Sequence, residues 1–405
     1  MNEAEMTVPY LFRCPITLDL FKDPVTLSTG QTYDRSSIEK WLAAGNLTCP
    51  VTMQKLHDPT MVPNHTLRHL IDHWLQMGHQ FDHEDLAIVD SVAAIKHSLE
   101  SHDTAFETKL NMLETIRVLS QESSSRSCLI HLGFLPFLLE LVFGRTQKEA
   151  MISSEEYAKF VEQALFCVLK LLPFCELESL NILLQESKLE SVLFLLKHGS
   201  SLVKMNLCQL IETTSASSET NQLCSMLGKK RELLHEIVQL VHQNCEASDA
   251  GIKALWTLLS SSKLNQETLI TEGVVDGLIS YISSSERRQS NKSLAVPFAM
   301  DILEKLLALD SAREALLRNP NGITTLVKKV FRVSNHEESE NAVGSLMTVC
   351  YGSFQAREEA IADGVLTQLL LLLQSQCSGR TKTKARMLLK LLRSKWIQDP
   401  SHMSN

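Results

Sequence analysis

From Glu84 to Trp396 apolar side chains recur at three- and four-residue spacing almost without interruption, which restricts this stretch to helix packed on helix. Ile302, Leu303, Leu306 and Leu307 are representative, sharing one side of a helix. The pattern also repeats itself. Ala312-Arg313-Glu314-Ala315 leads to Gly322, and Ala356-Arg357-Glu358-Glu359-Ala360 leads to Gly364, so the arginines lie 44 residues apart and the glycines 42. Leu129-Ile130-His131-Leu132-Gly133 and Leu269-Ile270-Thr271-Glu272-Gly273 carry the same signal, and each glycine precedes a segment rich in leucine or valine.

A period in the forties with two or three helices per unit is that of armadillo and HEAT repeats. Such units cannot bury their apolar faces alone, so they stack into a solenoid with an extended concave surface. An irregular helical bundle is the alternative. Composition agrees with a mainly α chain: 44% of residues are hydrophobic, yet only 6% are aromatic. A net charge of −8 argues against binding nucleic acid by charge alone. Met1 to Thr7 lacks a basic-then-apolar leader, and the longest strongly apolar run, Leu366 to Leu373, is far too short to span a membrane. The ten cysteines show no paired spacing and read as reduced thiols of the cytoplasm, with the nucleus as a second compartment.

Residues 8 to 77 follow a different grammar and hold six of the eleven prolines. Asp23 to Tyr33 reads as strand, turn, strand with Gly30 in the turn. Asp34 is placed to cap a helix whose Ile38 and Leu42 share a face beside Trp41, and Gly45-Asn46 end that helix. A second helix starts near Asn64, with Leu67, Leu70, Ile71, Trp74 and Leu75 on one side, and a polar linker follows from Gly78 to His83. No zinc is expected. The module's only cysteines, Cys14 and Cys49, lack the close Cys-x-x-Cys partners that a metal-stapled module of this size needs.

Phe12-Arg13-Cys14-Pro15-Ile16-Thr17-Leu18-Asp19-Leu20-Phe21-Lys22-Asp23-Pro24-Val25, Gly30-Gln31-Thr32-Tyr33-Asp34-Arg35, Trp41-Leu42, Thr48-Cys49-Pro50-Val51-Thr52 and Pro63 to Ile71 resemble, in order and spacing, the U-box. The chain resembles the plant family in which a U-box precedes armadillo repeats. The resemblance implies a small α+β, zinc-free RING-like domain over residues 5–79, an armadillo α-solenoid over 84–397 and a flexible tail over 398–405. It also implies a RING-type ubiquitin transferase. Such a protein docks a conjugating enzyme carrying a ubiquitin thioester and orients that thioester toward a substrate lysine, with no covalent ligase intermediate, no cofactor and no catalytic side chain of its own. Carried over by position, Ile16 and Leu18 in the first loop, Trp41 on the helix and Pro50 in the second loop would bind the conjugating enzyme. Ile16 and Leu18 equally suit a buried pair, and Trp41 taken alone suits a core. Some family members place a cation after the second loop to touch ubiquitin and the conjugating enzyme together. Here Met53 holds that place and cannot donate, leaving Gln54 or Lys55 as substitutes. The resemblance further points to plant stress or defence signalling and leaves homodimerisation open.

Protein substrates are expected on the concave surface of the arm. Many armadillo proteins grip extended peptides with an asparagine ladder in Ala-Leu-x-Asn-Leu motifs. Here Thr257, Thr348, Val118 and Cys167 take the asparagine places, which argues for a folded surface or an amphipathic segment as the ligand. His65, His69 and His73, four apart, read as a solvated helix face and not a metal site. Arg380 to Lys395, basic and amphipathic, reads as the end cap of the solenoid. Two further readings stay open: a scaffold with a degenerate U-box, and a chain extender that needs another ligase.

Overall fold

The computed structural model describes residues 10–56, 58, 60–76, 92, 94–101, 104–144, 155–215, 217–261, 266–285, 295–332 and 336–398. The expected domain boundaries at 5, 79 and 84, the linker 78–83 and the tail beyond 398 lie outside them. The chain divides into two compact units, 1–138 with 170–175, and 139–169 with 176–405. The division therefore falls inside the helical region and not at the linker.

In the first unit, β1 (Pro24–Thr26) and β2 (Thr32–Asp34) pair antiparallel, with Val25 opposite Tyr33. Gly30 takes a left-handed conformation (φ 79°) in the turn between them. A third strand, β3 (Val62–Pro63), pairs with the other edge of β1. The sequence pattern does not announce it, because two residues carry no alternation. Helix α1 spans Arg35–Ala43 and closes at Gly45 (φ 83°). Helix α2 spans His65–Gln76, and the Asn64 side chain caps it by accepting Leu67 N–H at 3.0 Å. The core gathers Phe12, Val25, Tyr33, Ile38, Leu70 and Ile71, each at most 5% exposed. Leu75, expected on the buried side of α2, is instead 46% exposed because it sits in the last turn. His65 and His69 are exposed, as a solvated face requires; the side chains of His73 and Trp74 lie outside the described residues.

In the second unit the helices form layers. The long helices Ser201–Thr213, Ala247–Ser261, Val296–Leu306, His336–Gly352 and Gly379–Gln398 each pack on the next. A second layer, Glu186–His198, Arg231–His242, Val274–Ser285, Gly322–Lys329 and Val365–Gln374, stacks in the same order. Short helices such as Gln266–Thr271, Asp310–Arg318 and Phe354–Ala362 join the layers. Polar contacts repeat at the same period. Lys230 reaches Glu186 at 2.8 Å, Arg231 reaches Glu272 at 2.7 Å, and Lys384 reaches Glu340 at 3.5 Å.

The repeated arginines turn out to be caps. Arg313 donates to the carbonyls of Leu307 and Ala308 at 2.9 and 3.0 Å. Arg357, 9% exposed, donates to Cys350 O at 2.6 Å and Tyr351 O at 3.2 Å. In the first unit Arg126 likewise donates to Ser120 O at 3.2 Å. Each arginine sits on a short helix and satisfies the orphan carbonyls at the end of the long helix before it. The repeated glycines do two different jobs. Gly364 (φ 84°) makes a left-handed corner between two helices. Gly322 is not left-handed; it clears space, since a Cβ there would lie 2.4 Å from Leu316 O.

Candidate functional site

Two loops of the first unit have the same sequence grammar: Cys14-Pro15-Ile16-Thr17-Leu18 and Cys49-Pro50-Val51-Thr52-Met53. They also have the same backbone. Leu18 N–H donates to Cys14 O at 2.7 Å, and Met53 N–H to Cys49 O at 2.9 Å. Cys14 N–H donates to Asp19 O and Cys49 N–H to Gln54 O, both at 2.8 Å. The bridges Arg13 to Leu20 and Thr48 to Lys55 close each loop at its base. Leu18 (φ 64°) and Met53 (φ 59°) are both left-handed, a conformation that costs a side-chain-bearing residue about 1–2 kcal/mol. The repetition at an offset of 35 residues is visible in the sequence once looked for, and it marks Val51 as the partner of Ile16, a residue the family resemblance alone did not single out.

The two cysteines point inward and are fully buried. Cys14 Sγ accepts the Asp34 N–H at 3.3 Å. Cys49 Sγ accepts from the Thr29 hydroxyl at 3.4 Å and the Thr52 N–H at 3.5 Å, and lies 3.0 Å from the Tyr33 hydroxyl. Tyr33 Oη in turn accepts the Val51 N–H at 3.1 Å. Burial works against a Cys49 thiolate, but the hydrogen bonds from Thr29, Thr52 and Tyr33 outweigh it and bring the thiol down to about 6. Burial, then the bond to Cys49, pushes Tyr33 well above the ordinary phenol range. Hydrogen bonds thus hold both loops from within. Among the described residues no group of three or more His, Cys, Asp or Glu gathers as a metal site.

Helix α1 pins one loop at each of its ends. Asp34 stands at the N-cap position, as expected, but its carboxylate does not cap the helix. It accepts Lys22 N–H at 2.7 Å, Asp23 N–H at 3.1 Å and the Ser36 hydroxyl at 2.9 Å, tying the segment after the first loop to the helix start. Burial opposes the charge, and these bonds hold the carboxyl below its ordinary range. At the other end the Trp41 indole N–H donates to Thr48 O at 2.8 Å, at the base of the second loop. Trp41 is therefore half-buried, with its polar edge committed to the loop.

Apolar side chains leave these loops outward. Ile16 is 36% exposed, Leu18 69%, Val51 50% and Met53 71%, while Pro50 is half-buried. Ile16 and Leu18 do not form a buried pair, because the left-handed turn at Leu18 carries it to the surface. A surface of this kind exposes apolar area that a partner can desolvate, as in a protein–protein hot spot.

On the helical arm two of the expected asparagine places face inward. Thr257 and Cys167 are each 1% exposed, so neither can meet a ligand. In the helix Ala247–Ser261 the described residues left open are Asp249, Lys253, Trp256 and Ser260, and Trp256 lies one position away from the motif register. Val118 is 50% exposed, and the Thr348 hydroxyl is spent on Gly344 O at 3.1 Å. No single described helix is long and apolar enough to cross a membrane.

Residues 8–80 match the model of the U-box domain, and residues 90–404 match that of the plant U-box protein ARM repeat region. U-box domain-containing protein 26 of Arabidopsis thaliana is 32% identical over 97% of this chain and 93% of its own length. E3 ubiquitin-protein ligase PUB23 of the same plant is 29% identical over 98% of this chain and 96% of its own. Among solved structures, a chain from a study of the interaction between cadherin and beta-catenin aligns with a TM-score of 0.56 at 13% identity, covering 80% of this chain and 57% of that one. An engineered protein aligns with a TM-score of 0.52 at 18% identity, covering 76% and 71%. The chain belongs to the plant U-box proteins that carry an armadillo-repeat arm.

Proposed function

We propose that this ubiquitin transferase docks a ubiquitin-conjugating enzyme on Ile16, Leu18, Trp41 and Pro50, with Val51 added by its pairing to Ile16, and promotes direct transfer of ubiquitin to lysines of proteins held by the armadillo arm. One observation carries the reading: two hydrogen-bonded loops of identical design turn apolar side chains outward and bury their cysteines. A buried thiol cannot receive ubiquitin, so the work left to the module is to bind and orient the thioester, where gains in rate come from effective concentration and geometry. The chain would act in the cytoplasm and nucleus, in a stress or defence pathway. Ubiquitin discharge from a loaded conjugating enzyme to free lysine, compared between the native chain and Ile16→Ala, tests the reading. Loss in the variant supports it, and equal rates refute it.

Met53 supports a second reading. At the position where a cation would bind ubiquitin and the conjugating enzyme together, its thioether donates no hydrogen bond. On that reading the transferase closes the thioester conjugate weakly, or Gln54 or Lys55 contributes in place of the cation. A faster discharge by Met53→Arg would select weak closure, and a loss on Gln54→Ala or Lys55→Ala would select the substitutes.

A further inference from the structure

The open side of the long-helix layer carries a groove of about 770 Å³ near its C-terminal end, walled by Met347 and Tyr351 on one helix and Met387 and Leu391 on the next. Tyr351 is 79% exposed and Met387 56%, unusually high values for large apolar side chains on a folded surface. The volume lies within the range of ligand pockets, and methionine walls re-pack around varied shapes.

The charge at the groove's edge is opposite to that of the chain. The helix Gly379–Gln398 holds seven Lys and Arg and no Asp or Glu, in a chain of net charge −8. Part of that charge is internally neutralised. Arg380 pairs with Glu340 at 3.0 Å, and Lys384 pairs with Glu304 at 3.0 Å. Lys390 lines the groove and is exposed, with Arg386 and Arg393 on the same side of the helix at spacings of four and three. Among the described residues these three form no ion pair. Arg313 closes the groove from the neighbouring short helix, its guanidinium engaged by the carbonyls of Leu307 and Ala308.

We propose that this groove recognises an acidic segment with a bulky apolar anchor: the anchor enters between Met347, Tyr351, Met387 and Leu391, and flanking carboxylates meet Lys390, Arg386 and Arg393. The inference rests on the reading of the arm as the substrate-holding part, and it names the class of segment that part selects. Charge complementarity of this kind fixes partner choice and speeds encounter.

Gly352 provides a test. It lines the groove, and a Cβ built there meets nothing within 4 Å, so Gly352→Glu places bulk and negative charge in the groove without a clash. Lys390→Glu is the second variant, on a solvent-facing position. A phage-displayed library of random linear peptides is selected on the full chain, and the enriched peptides are measured against both variants. The expected result is enrichment of peptides with an aromatic or long aliphatic residue between acids, binding about tenfold more weakly to each variant. Ubiquitin discharge to free lysine stays equal in all three proteins, because it needs only the U-box. Enriched peptides without acids, unchanged binding to Gly352→Glu, or no enrichment overturns the proposal. A native chain that discharges nothing overturns the ligase reading separately, since the peptide measurement does not depend on it.

Discussion

Leu18→Gly separates surface from core more sharply than an alanine change, because it should strengthen the fold while weakening docking. Leu18 sits at φ 64° with 69% of its surface exposed. The left-handed conformation costs a leucine about 1–2 kcal/mol, and glycine escapes that cost. Glycine's extra freedom in the unfolded chain offsets about 0.5–1 kcal/mol of the gain. The side chain buries little within the protein, so its loss removes little. The U-box should therefore gain about 0–1.5 kcal/mol, read as slower hydrogen exchange of the β1 and β2 amides in the full chain. A leucine buried against a conjugating enzyme is worth about 1.5–3 kcal/mol, so docking should weaken by about 10- to 150-fold. Discharge to free lysine at subsaturating conjugating enzyme reads that loss. The reasoning fails if discharge stays within about twofold of native, or if the U-box opens more easily by over about 1 kcal/mol.

Met53→Arg should raise the discharge rate several-fold by supplying the missing donors; an unchanged rate counts against a role for this position. Tyr33→Phe removes the acceptor of Val51 N–H and a partner of Cys49, so the second loop should lose about 1–3 kcal/mol and the Val51 and Thr52 amides should exchange faster. Arg357→Met leaves two carbonyls uncapped and should destabilise the arm by about 1.5–3 kcal/mol in thermal melts, with discharge to free lysine unaffected. Asp34 titrates below its ordinary range in the folded state. Its contribution is therefore complete above the unfolded carboxylate pKa and is lost as pH falls through the folded value; Asp34→Asn should flatten the acid limb of U-box stability.

Much of the architecture is local in origin and was legible for that reason. Helical spacing lines up an apolar face wherever it occurs, as at Ile302 and Leu306, and a period in the forties requires stacking because no single unit can cover its own apolar side. The end of α1 at Gly45 and the cap at Asn64 follow from single-residue preferences. The register of the arm was less legible: Thr257 fits a ligand-facing motif by letters, yet helix rotation, set by packing on both neighbouring layers, turns it inward and leaves Trp256 open.

Residue order alone is enough to establish that a proline-rich module precedes stacked helices, that its two cysteines lack metal-binding neighbours, and which loops carry the apolar residues. Folding in three dimensions was needed to establish the rest. Leu18 and Met53 turn left-handed and outward, Tyr33 joins Cys49 to Val51, Asp34 ties the segment after the first loop to the start of its helix, and the repeated arginines are caps. The difference is one of range. Spacing and capping preferences act over a few residues, whereas these hydrogen bonds join groups 5 to 18 positions apart, and their partners are settled only when the core brings them together.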